Sequence, residues 1–280
     1  MGLMTLIEDA TARFRAGEAE IARAFFSQPR PLSEHVFMLR IQVAREVRNL
    51  IEISRGELTE RVDRVDRDMT RDEIVAELRE HYYETRHYAM LGNLLEGITG
   101  EHLDWKVLAE ERETADWAAA GRREGQLKRE RGAISPLHAA AAQFNSGGGG
   151  SVAYGMIGLT GGVYEELMAE TAKIILHDEM AHGEVLGGRN PLYRLVTSEE
   201  DAQAAFEVVR DYSALRLEGR NFQFGYPLSG ERIEAIVGGD IEPIGLDVLE
   251  AAYAGAIDDE EWLDRYRSAP KPLAAATVLR

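Results

Sequence analysis

The sequence contains no cysteine. Disulfides, thiolate nucleophiles, iron–sulfur clusters and cysteine-based zinc sites are therefore excluded, and any metal must be held by histidine and carboxylates. Prolines number only 8 in 280 residues, so helices are interrupted at few places. No apolar run is long enough to cross a bilayer. Positive charge is in deficit, with 32 Lys and Arg against 49 Asp and Glu, a net charge of −17. Such a surface repels a phosphate backbone, so nucleic acid is excluded as a general partner, and the charge serves solubility. The opening stretch MGLMTLIEDATARF carries acids early and lacks a basic start, so no signal peptide is expected. Leu6 stands where myristoylation needs Ser or Thr. The expected location is cytoplasmic. No Ser lies in a nucleophile-elbow pattern, and neither GGRNP nor SGGGGS has the ending of a phosphate-binding loop.

Helical punctuation is what the sequence has in quantity. Residues 3–26 read as an amphipathic helix, and QPRP (28–31) breaks the chain after it. Ser33 can cap a long second helix over about 34–66, where Val36, Leu39, Val43, Leu50 and Ile53 share one face. Thr70-Arg71-Asp72-Glu73 forms a capping box that opens a third helix to about Glu96, and GITGE (97–101) stops it. Joined by a tight turn, the second and third helices read as an antiparallel pair. Further helices are expected over 104–131, 136–144, 163–186 and 198–219, with two short ones near the C-terminus. Between them NSGGGGS (145–151) is flexible by composition and suits an active-site lid or an artificial linker. With no strand pattern and no internal repeat, the fold class is all-α. The expected division is a helical-bundle metal-binding domain over 1–190 and a helical extension over 191–280 packed on it.

Two histidines follow a glutamate by three residues: Glu84 and His87 in ETRH, and Glu179 and His182 in EMAH. Three residues is about one helical turn, so each pair projects from one side of its helix. Spacing alone is a weak signal in a glutamate-rich chain. The faces carry more. Tyr164, Met168, Ala172 and Ile175 lie on a line that Glu179, His182 and Leu186 continue, which puts a carboxylate and an imidazole at core positions. Buried ionisable groups are costly unless paired or metal-bound. Glu80, His81, Glu84, His87, Tyr88 and Leu91 form a similar stripe on the third helix. On the second, Glu46 is an acid on the apolar line of Leu39, Val43, Leu50 and Ile53. Its level across the antiparallel pair differs from that of Glu84 and His87 by about one turn. Glu52 matches that level better but faces a polar side, so Glu46 is preferred.

These residues resemble the ferritin-like dimetal carboxylate proteins, over about residues 34–187. The resemblance implies a helical bundle with added N- and C-terminal helices. Its metal ligands would be Glu46, Glu84, His87, Glu179 and His182, with Asp178 bonded to a ligand histidine. Two non-heme irons are implied, with manganese as the alternative, and mixed carboxylate and imidazole ligands suit Fe(II). One departure is plain. The family's third core helix supplies a glutamate about thirty residues before the second motif, where this chain has AAAAQFNSGGGGS. Either that helix is 104–131, with Glu113, Glu124 or Glu130 as ligand, or the ligand is missing and the second metal is labile. His138 is a further candidate. The chain is also similar to heme-oxygenase-like dimetal oxidases, which would draw on Glu80 and His87 with Asp178 and His182.

Both resemblances imply an O2-dependent oxidase or oxygenase acting on a small organic substrate by hydroxylation, N-oxygenation or oxidative cleavage. Lacking cysteine, the chain would take any electrons from an external donor, and a homodimer is compatible with this reading. The contrasting expectation is a non-enzymatic acidic helical protein that binds a partner through NFQFGYPLSGERIEAIV, with its aromatic residues as anchors.

Overall fold

The computed structural model describes residues 2–144, Thr171, Ile174, Ile175, Asp178 and residues 191–244. The chain is all-α, with no strand among the described residues. It parts into two compact units, one of Pro31–Ala118 with Tyr266–Arg280 and the other of Met1–Arg30 with Ala119–Arg265. The N-terminal helix groups with the later helices, and the breaks fall within the QPRP stretch, after Arg30, and between Ala118 and Ala119.

In the unit of 31–118, the expected 34–66 helix is three helices. They are α2 (Leu32–Glu46), α3 (Arg48–Ser54) and α4 (Glu57–Val62). Val47 keeps right-handed angles, so the first interruption bends the chain little, whereas Gly56 turns it with φ at 82°. That angle is open to glycine and costly for other residues. The interruption ends the apolar stripe: Leu39 and Val43 are buried, but Ile53 is exposed. Helix α5 (Arg71–Thr99) starts at the expected capping box, where Thr70 and Glu73 bond each other's backbone. It runs through Gly97 and ends where Gly100 takes a left-handed conformation. Helix α6 (Trp105–Thr114) is capped by Asp104 and buries Leu108. The expected 104–131 helix stops here because Ala115 is extended. Helix α2 packs along α5. Glu46 lies near His87, Asn49 near His81 and Arg61 near Glu77, so α2 to α4 run antiparallel to α5, as the sequence predicts.

The other unit contains α1 (Thr5–Phe26), α7 (Ala119–Gly132), α8 (Pro136–Phe144), α9 (Leu192–Leu195), α10 (Glu199–Gln223) and α11 (Gly230–Val237). Helix α10 is central and packs on α1, α7, α8 and α11. Ile7, Ala140, Ala141, Leu192, Ala205 and Val209 form one apolar cluster. Gly17 allows the close approach of α1, since a Cβ there would lie 2.9 Å from both Ile236 and Leu217. Charge is buried here too. Glu18 is wholly buried on α1 and lies 3.8 Å from Arg216 and 3.5 Å from Arg220. Arg216 is 3.6 Å from Glu124, which accepts a 2.5 Å hydrogen bond from Tyr212. The NFQFGYPLSG segment closes on its own unit. Phe224 stacks edge-on against Phe25 and Phe26, and Asn221 exchanges hydrogen bonds with the backbone of Leu228. Tyr226 remains exposed.

Candidate metal centre

Within the unit of 31–118, three of the expected ligands come together. Single ligand atoms of Glu46, Glu84 and His87 all lie within 4.8 Å of one another. Helix α5 supplies two of them one turn apart, and the last residue of α2 supplies the third. His87 is fully buried, and its Nδ1 is 3.9 Å from Oε2 of Glu46. The other oxygen of Glu46 is engaged: Gln42, one turn earlier on α2, donates from Nε2 to Oε1 at 2.5 Å. So the carboxylate is fixed at one oxygen, and the other faces the imidazole.

The donor set fits a divalent metal. Metal–oxygen and metal–nitrogen bonds are about 2.0–2.2 Å, so two ligand atoms on one ion are about 3–4.5 Å apart. The Glu46–His87 separation of 3.9 Å falls in that range, and all three ligand atoms lie within 4.8 Å of one another. Two carboxylates and one imidazole suit Fe(II), Mn(II) or Zn(II), and three protein ligands leave positions for exogenous ones. Burying the Glu46 carboxylate, with the half-buried Glu84 beside it, next to an imidazole is costly, and a cation between them offsets the cost.

Histidine 81, six residues before His87, is differently engaged. Its Nδ1 is hydrogen-bonded to Oδ1 of Asn49, and its Nε2 lies 3.2 Å from Nη1 of Arg61. A guanidinium can only donate, so Nε2 accepts and Nδ1 carries the proton that Asn49 receives. Asn49 also donates to the carbonyl of His81 at 2.6 Å and to Oγ1 of Thr85 at 3.0 Å. Both ring nitrogens of His81 are thus committed to joining α3 and α4 to α5.

The remaining candidates are placed as follows. Glu80 is exposed on α5 and is not part of the cluster. Glu52 pairs with Arg48 at 2.7 Å and lies 3.8 Å from Arg61. Glu113 and Glu130 are exposed, and Glu124 is bonded to Tyr212. His138 is partly buried on α8, with Nδ1 2.8 Å from Oγ of Ser135. Asp178 is fully buried and helical. Glu179 and His182 lie outside the described residues, as does the 145–151 stretch. Near the cluster, burial raises the Tyr88 phenol above its ordinary value, and Glu96 and Asp104 push the same way. Arg86 stacks over the rings of Tyr82 and Tyr83 at 5.6 and 5.3 Å.

Sequence reasoning passed over Gln42, Asn49 and Arg61. Gln42 had one local signal, its position four residues before Glu46, from which a helical side chain can reach the carboxylate. The other two contacts join residues far apart in the chain. No family model matches the chain, and comparison with curated proteins and with solved structures yields no match.

Proposed function

We propose that this chain is a metal-dependent O2-utilising oxidase or oxygenase of the ferritin-like, di-iron carboxylate kind. The convergence of Glu46, Glu84 and His87 carries the reading. In it, these residues hold one iron, while the expected second pair, Glu179 and His182, lies outside the described residues. Bound iron would supply the O2 chemistry. The chain's part is to hold the ions and to place a small organic substrate beside them away from water. Gln42 fixes the free rotation of Glu46, and the burial of His87 shields the site on the α5 side. The donor set favours this over a partner-binding role, because a docking surface has no use for two carboxylates and an imidazole turned towards one another. The segment that would carry such a surface also packs largely on its own unit.

Iron content after anaerobic Fe(II) loading and desalting tests the reading. Wild type should retain iron and consume O2, while Glu84→Gln and His87→Ala should lose it. A wild-type chain that neither retains iron nor changes O2 uptake would end it.

A further inference from the structure

We propose that Arg112 is a positioning residue for Glu46, acting through the end of helix α2. The inference rests on the metal-centre reading above. Helix α2 stops at Glu46, where its last carbonyls lose their regular intrahelical donors and the backbone N–H of Val47 turns back onto Arg45. Arg112 of α6 supplies donors there, with Nη1 2.9 Å from the carbonyl of Arg45 and 3.4 Å from that of Ala44. These are the two residues just before the proposed ligand. One turn back along α2, the Arg40 guanidinium forms a two-bond fork with Glu111, the neighbour of Arg112. Its distances are 2.5 and 3.2 Å. Leu108, 1% exposed, and the Asp104 cap keep α6 itself in place.

Two consecutive residues of α6 thus grip α2 at separate points. One grip would leave the last turn free to pivot, whereas two set both its rotation and its axial position. The side chain of Glu46 is then aimed by Gln42 from within its own helix. Backbone placement comes from α6, and carboxylate orientation comes from α2. Metal–ligand distances tolerate only about 0.2 Å, so a last turn that frays or slides takes Glu46 out of range. The positive guanidinium at a helix C-terminus also offsets the negative dipole end beside which Glu46 places its own charge.

A cap that only stabilised the helix would weaken every ligand alike. One that acts through Glu46 has no effect once Glu46 is gone. Co(II) titration of the full chain, followed by its visible absorption, separates the two in wild type, R112A, E46Q, H87A, R112A/E46Q and R112A/H87A. R112A should weaken Co(II) binding about tenfold, in the range seen for residues that orient ligands. The same factor should appear on the H87A background and vanish on E46Q, and R112K should recover part of it. Far-UV circular dichroism checks folding; if R112A does not fold, R112Q, which keeps one donor, replaces it throughout. Unchanged affinity in R112A, or an equal loss on E46Q, overturns the role of Arg112 while the metal centre stands. Absence of Co(II) binding in wild type overturns the centre, and this inference with it.

Discussion

Asn49→Ala tests the polar joint between α3 and α5. Asn49 is 5% exposed and makes three hydrogen bonds, to the carbonyl of His81, to Oγ1 of Thr85 and to Nδ1 of His81. A buried hydrogen bond contributes about 1 kcal/mol net, and a buried donor left unmatched adds a penalty of its own. The variant leaves the Nδ1 proton of His81 without its acceptor, so the loss should reach about 3–4 kcal/mol. For a domain of this size, that lowers the midpoint by about 12–30 °C. Thr85→Val removes one of the three bonds, together with the bond that Thr85 itself donates to the His81 carbonyl, and should cost about 1–2 kcal/mol. Thermal and urea unfolding followed by circular dichroism would read both, in the transition that belongs to residues 31–118. Nitrogen chemical shifts of the His81 ring give an independent check, because the argument requires the proton on Nδ1. A loss below about 1 kcal/mol in Asn49→Ala would refute the energetic reasoning, and a proton found on Nε2 would refute the network itself.

Tyr212 gives a pH prediction. Burial holds its phenol well above the ordinary tyrosine value, and Glu124 raises it further while Arg216 lowers it. A raised folded value means that stability is full below about pH 10 and falls above it, as the unfolded chain ionises first. Alkaline unfolding titrations should therefore show a shallower decline in Tyr212→Phe. Some slope persists, because burial shifts Tyr88 and Tyr193 the same way. An unchanged slope would show that Tyr212 is not the group responsible. Gly17→Val places a branched side chain where even a Cβ would be 2.9 Å from Leu217 and Ile236. Overpacking of that kind costs about 1–3 kcal/mol, and a variant as stable as wild type in urea would show that α1, α10 and α11 pack less tightly than described.

Some of the fold was legible because local chemistry decides it. The Thr70–Glu73 box and the all-helical punctuation fix helix starts through bonds between near neighbours. The division into units was not, because it depends on which distant faces meet. Residues 3–26 show an apolar face in sequence, but nothing local says that it meets α10. The 34–66 helix was overread for a related reason: periodicity persists past Val47, while the grip of α6 on Ala44 and Arg45 is invisible to it. Within the candidate site, the turn-spaced pair Glu84 and His87 and the apolar line through Glu46 were legible, and level-matching across the hairpin placed them close. The engagement of His81 was not, because its partners come from α3 and α4.

That contrast bears on which histidine is available to a metal. His81 and His87 sit on the same helix, and both are buried. Helix periodicity cannot rank them. What separates them is the chemistry of the opposing surface. Opposite His81 stand an amide and a guanidinium, which satisfy an imidazole at both nitrogens and repel a cation. Opposite His87 stands Glu46, whose oxygen is an acceptor for a protonated ring or a fellow ligand for a metal. The six-residue step from one histidine to the other spans less than two turns, about 9 Å of helix. Over that distance the environment changes from one that binds α3 and α4 to one that can accept an ion. The helix interruption at Val47 falls between the two levels, so Glu46 and Asn49 belong to different helices. In the proposed reading, the break lets α2 be set by α6 for metal binding while α3 and α4 remain fastened to α5 by His81.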